Sequence, residues 1–113
     1  MELQLQIAAR GVDLDVAAET LIRQYAEKLE HYYERITGMR VMVEVPQRQM
    51  GEPIVYNVRF DITVPGAELV VKRQAHPELL TAIQRAYEAA RRRLQDYARR
   101  QRLQVKAHSG GRP

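Results

Sequence analysis

Cysteine and tryptophan are absent from this 113-residue sequence, and phenylalanine occurs once. Without cysteine there is no disulfide framework, no thiolate nucleophile and no cysteine-based zinc site, which removes much enzyme chemistry and agrees with a reducing compartment. No apolar run approaches the ~20 residues needed to cross a bilayer, and the opening MELQLQIAARG lacks the basic-then-apolar pattern of a secretory leader. These absences predict a cytoplasmic protein with no membrane partner. The histidines at 31, 76 and 108 have no ligand spacing, and no glycine-rich phosphate loop is present. Asp13 and Asp15 precede a helix and read as caps rather than as an acid–base pair. No catalytic residue, metal, cofactor or small-molecule substrate is therefore expected.

Acidic residues are also scarce in one part of the chain. Residues 1–71 carry seven basic and eleven acidic groups, a balance of −4, whereas residues 72–113 carry eleven basic and three acidic, a balance of +8. Fifteen of the eighteen cations are arginine, whose planar fork matches phosphate oxygens and stacks on bases better than lysine does. A polyanion such as nucleic acid is the first candidate partner, and a solvated helix face is the plain alternative.

The length suits one domain with one hydrophobic core, placed at residues 1–104, followed by a flexible tail or linker stub at 105–113. Residues 2–8 alternate apolar Leu3, Leu5 and Ile7 with polar neighbours, the period of a half-buried strand. A helix capped by Asp15 follows to about Ile36, with Ala18, Leu21, Ile22, Tyr25, Leu29, Tyr32 and Ile36 on its buried stripe and Gly38 as its stop. Tyr32 therefore reads as core, and Tyr33 is left open between surface and core. A second strand spans Met39 to Val45, and a third from Ile54 to Val64 turns Ile54, Tyr56, Val58, Phe60, Ile62 and Val64 to one side. Pro65-Gly66 suits a type II turn into a fourth strand with Ala67, Leu69 and Val71 inward. Pro77 opens a second helix whose stripe is Leu79, Ile83, Ala86, Tyr87, Ala90, Leu94 and Tyr97. Strands apolar on one side call for helices on that side alone. The predicted fold is α+β, a two-layer β-α-β-β-β-α sandwich with two helices on one face of a four-stranded mixed sheet. Strands one and two are parallel, and two, three and four antiparallel.

Basic residues gather on the helices. Arg85, Arg92 and Arg99 recur every seven residues, forming a row about 20 Å long by the helix rise. Arg93 and Arg100 form a second pair, and Arg91 and Arg102 add to the same helix. Lys28 and Arg35 share the seven-residue spacing on the first helix, with Arg23 nearby, so cations are expected to flank the groove between the helices. Like charges at this density cost a helix a few tenths of a kcal/mol per neighbouring pair, which favours a bound polyanion that offsets the repulsion. Rows at this pitch suit the phosphates of a folded RNA rather than base edges.

The stretch Lys28-Leu29-Glu30-His31-Tyr32-Tyr33-Glu34-Arg35-Ile36 resembles the K-L-E-x-Y-F-D-R-I of the hibernation-promoting factor and ribosome-associated inhibitor family, also described as sigma-54 modulation proteins. QIAARGVDLD, the Pro65-Gly66 hairpin and Thr81-Ala82-Ile83 agree in order and spacing, so the similarity covers residues 2–102. What the resemblance implies is a non-enzymatic factor that binds the small ribosomal subunit and its ribosomal RNA, in the channel of messenger and transfer RNA, keeping idle ribosomes inactive. Lys28 and Arg35 stand where that family has basic residues, and Arg92 at the arginine of its K-L-x-R-Q-L pattern. Ala89 replaces the lysine of that pattern, and Glu78-Leu79-Leu80-Thr81-Ala82-Ile83-Gln84 departs from the family's D-x-Y-x-A-I-D.

Two other classes fit parts of the sequence. A double-stranded-RNA-binding domain shares the α-β-β-β-α order but uses lysines at the start of its last helix, where Pro77, Glu78, Leu79 and Leu80 stand here. A protein-interaction domain would use Met42, Val55 and Val70 on the open sheet face as an apolar patch for a weak homodimer.

Overall fold

Alternation along Tyr56–Val64 turns Val58, Phe60, Ile62 and Val64 to one side, and all four are buried. The computed structural model describes residues 4–110, with side chains described as far as Gln104. The first residues of the expected opening strand, the last residues of the expected tail and the side chain of His108 lie outside the described residues. The elements are β1 (Gln4–Arg10), α1 (Val16–Tyr32), β2 (Gly38–Glu44), β3 (Tyr56–Val64), β4 (Ala67–Leu69), β5 (Gln74–His76) and α2 (Leu79–Gly110).

β1 pairs parallel with β2, and β2 antiparallel with β3, in the register Ile7↔Val41↔Phe60. Gly11 ends β1 at φ +75°, where a Cβ would run into the Val45 carbonyl oxygen. Only glycine combines that backbone with that approach. Gly66, at φ +81°, closes the turn into β4 as the Pro-Gly pair predicts. Both helices cover one sheet face. The core between the layers joins Ile22, Ala26 and Leu29 of α1, Val41, Val43 and Phe60 of the sheet, and Ile83, Ala86, Ala90 and Leu94 of α2.

The expected fourth strand is two short ones, β4 and β5, both antiparallel to β3, so the sheet has five strands rather than four. The break falls where the Asp61 carboxylate accepts the Val71 N–H at 3.2 Å, replacing a ladder bond with a side-chain bond. Asp61 is only 5% exposed despite facing away from the helices.

Three helix boundaries also differ from expectation. Asp15 caps α1 by accepting the Ala18 N–H at 2.9 Å, as its position predicts, but α1 ends at Tyr32 rather than near Ile36. Tyr33 is extended there. That change overturns the core reading of Tyr32, which is 44% exposed, and decides the open case of Tyr33, which packs on the core. α2 begins at Leu79, two residues after Pro77, with the His76 imidazole accepting the Glu78 N–H at 3.0 Å. The tail expected from residue 105 begins as helix and continues to Gly110, because Val105-Lys106-Ala107 contains no breaker.

Candidate nucleic-acid interface

Two tyrosine pairs join the helices. Tyr25 of α1 stacks on Tyr87 of α2, with ring centroids 4.2 Å apart and planes 11° apart, and Tyr33 meets Tyr97 edge-on at 6.0 Å. Partners rise together in number along both helices, so α1 and α2 run in the same direction. Both rings of the stack belong to the expected apolar stripes, but no spacing in the sequence signals that they touch.

Around this seam the candidate cations separate into groups. Arg85, Arg92 and Arg99 are exposed and lie roughly opposite Ala86, Ala90 and Leu94 at 3.6 residues per turn, forming an outward ridge on α2. Arg91, four residues after Tyr87, and Arg102, three turns later, lie on the flank nearer α1 and are exposed. Lys28 reaches over that flank from α1, its ammonium 5.6 Å from the Tyr25 ring centroid, a cation–π distance. Arg93 is half-buried beside Leu94, and Arg100 follows it seven residues later, exposed.

Two expected members do not join these rows. Arg23 lies on the flank of α1 away from α2, lining a recess at the β1 edge with Asp13 and Glu19. Arg35 is exposed in the turn after α1, because the helix has already ended, so the seven-residue spacing from Lys28 no longer describes one helix face. The paired strip expected on both sides of the groove is therefore an α2 ridge and flank joined by Lys28, with Arg35 beyond the end of α1.

Among the described residues, Arg99 is the one candidate cation in an ion pair, with Asp96 at 2.7 Å. Both side chains are more than half exposed, so the pair is worth less than about 1 kcal/mol. The other cations of the ridge and flank have no carboxylate within reach among the described residues, which leaves their charge available to a ligand.

Burial, then Glu88, then Tyr87 raise the Tyr25 hydroxyl above its ordinary pKa of 10.0. A folded-state pKa above the unfolded one contributes stability that is complete below pH 10.0 and lost as pH rises through the folded value. Ring resonances followed through an alkaline titration should show Tyr25 ionising above pH 10.0, and Glu88→Gln should lower its midpoint. A Tyr25 midpoint at or below pH 10.0, or one that Glu88→Gln leaves unchanged, contradicts the assigned environment.

No group of three or more histidine, aspartate or glutamate side chains suited to a metal is present among the described residues. No helix among them is long and apolar enough to cross a membrane. The apolar patch expected on the outer sheet face is interrupted. Met42 stands between Ala8 and Arg59, and Val70 follows Leu69, the partner of Ile62, beside the Arg59–Asp61 pair.

Residues 5–102 match the family model described as Sigma 54 modulation protein / S30EA ribosomal protein. A ribosomal subunit interface protein from Coxiella burnetii superposes with a TM-score of 0.72 at 13% identity, covering 84% of this chain and 97% of that one. The N-terminal domain of Thermus thermophilus Protein Y gives 0.67 at 14% identity, covering 86% and 99% respectively. At these identities the two structures are alike in fold. No curated protein matches the sequence.

Proposed function

The chain belongs to the Sigma 54 modulation protein / S30EA ribosomal protein family, and from that membership we propose that it binds the small ribosomal subunit through ribosomal RNA phosphates and holds idle ribosomes inactive. The observation that carries this reading is the exposed ridge of Arg85, Arg92 and Arg99, set opposite the packed face of α2 in a chain that matches the family over residues 5–102. Guanidinium groups seven residues apart on a rigid helix meet successive phosphates without base-specific geometry, so recognition is by shape and charge. Arg91, Arg102 and Lys28 extend the contact towards the seam, and Arg93, Arg100 and Arg35 border it.

The protein acts as a wedge rather than a catalyst. It lies in the cytoplasm, in the channel used by messenger and transfer RNA, and blocks translation by occupying that space. Sedimentation with purified small subunits across a salt series tests the reading. Each neutralised phosphate contributes roughly −0.7 to −0.9 to the slope of log affinity against log salt, so three ridge contacts alone give a slope of about −2 to −3. Co-sedimentation that is indifferent to salt overturns the phosphate mechanism.

A further inference from the structure

Among the described arginines outside the helix surface, four lie on or directly beside the strands: Arg10, Arg40, Arg59 and Arg73. Arg10 and Arg40 alternate away from the core on β1 and β2, and Arg59 does so on β3. Arg73 immediately precedes β5, where the Val58↔Gln74 pairing brings it level with Arg59. The outer sheet face is thus also rich in cations, on the side of the molecule opposite the helices.

Three of these arginines surround a recess. A cavity of about 120 Å³ is lined by Arg10, Arg59 and Arg73, with Glu44, the Asn57 amide and the Met42 thioether completing the wall. Cross-strand register explains the convergence, since Arg10↔Glu44↔Asn57 form one row and Ala8↔Met42↔Arg59 the next. Glu44 lies 3.8 Å from Arg10, but Arg10 is 76% exposed, so the pair is loose and solvated.

Arg59 is held more closely. Its Nε lies 3.1 Å from the Asp61 carboxylate, and its side chain remains 37% exposed. The N–H is poorly aimed at that oxygen, leaving a buried donor without a hydrogen-bond partner. Asp61 already accepts the Val71 N–H with its other oxygen. Arg73 has no carboxylate partner among the described residues. Three guanidinium groups and an amide therefore face one small opening with a single carboxylate in its lining.

The geometry points to a phosphate-binding site in this recess, distinct from the helix ridge. Guanidinium forks match the paired oxygens of a phosphate, and the Asn57 amide supplies a neutral donor beside them. The phosphate comes either from a free nucleotide or from an RNA backbone, and the chemistry of the recess is the same for both.

The test is a titration of the full chain, followed through backbone amide and arginine Nε–H resonances at constant ionic strength, first with inorganic pyrophosphate and then with a short RNA duplex. Saturable shifts at Asn57, Arg59 and Arg73 are expected, weakened about tenfold by Arg73→Ala and by Arg10→Gln. Arg59 is left intact because its removal strands the Asp61 carboxylate. The pair Arg92→Glu/Arg99→Glu should leave these shifts unchanged, which separates this site from the ribosomal reading. Shifts with pyrophosphate assign a free phosphate ligand; shifts with RNA alone, persisting in the ridge variant, assign a backbone phosphate. If neither ligand moves these resonances, or if Arg73→Ala and Arg10→Gln leave the response intact, the site is refuted.

Discussion

On the proposed function, Arg92→Glu combined with Arg99→Glu is expected to weaken binding to the small ribosomal subunit by roughly a hundredfold. Each substitution removes one charge-assisted hydrogen bond worth about 1.5 kcal/mol at the low end of its range, the end suited to exposed groups. Two such losses make about 3 kcal/mol, where each 1.4 kcal/mol is tenfold. The carboxylates introduced also repel the phosphates they face. Arg92 has no ion pair among the described residues, while Arg99 must leave Asp96 to serve RNA, so Arg92→Glu alone should account for the larger share. The salt slope should become shallower by about 1.5, because two phosphates no longer release counterions. Neither residue is buried, so the variant should fold, which its circular dichroism checks. Co-sedimentation equal to wild type rejects the ridge as the ribosomal contact.

Phe60→Ala should cost about 3–5 kcal/mol, the range for removing a fully buried aromatic ring. Phe60 is the chain's single phenylalanine and is 0% exposed. It sits in the middle of β3, opposite Val41 and beneath the helix layer, so its ring fills the space where sheet and helices meet. Domains of this kind carry about 5–15 kcal/mol in total, so the loss takes a large share and lowers the urea midpoint steeply. Val58→Ala, two residues away on the same face, removes far fewer atoms and should fall well short of that effect. A Phe60→Ala cost below about 1 kcal/mol would mean that the two layers are not held together there.

Apart from the split of the last strand into β4 and β5, the order β-α-β-β-β-α and the pairing of its strands were legible because alternation in β3 and helical spacing in α2 are long and uninterrupted. The boundaries depended on contacts invisible to periodicity. Nothing local in Glu30-His31-Tyr32-Tyr33 tells that the chain becomes extended at Tyr33, and that single change turns Tyr32 outward and Tyr33 onto the core. The break between β4 and β5 follows from Asp61 reaching a backbone N–H ten residues away, a tertiary bond that no window of sequence contains. Ala26, Ala82 and Ala98 are buried but escaped the predicted stripes, since alanine fits a crowded interface and an exposed face equally well. In the candidate interface, the α2 ridge was legible from its period. Arg23 was misplaced because proximity in sequence to Lys28 says little about which flank of a helix a residue occupies, and the recess under Arg59 required strand register.

Ala98 is the last described residue of α2 that is buried, yet the helix continues to Gly110. Arg85, Arg92 and Arg99 share turns with the buried Ala86, Ala90 and Ala98, whereas Arg100 and Arg102 extend beyond the last buried residue. Grip strength at that end is thereby uncoupled from structural integrity. Substitutions at the projecting end can therefore change the charge it offers to a ligand one side chain at a time, with little effect on the unfolding midpoint.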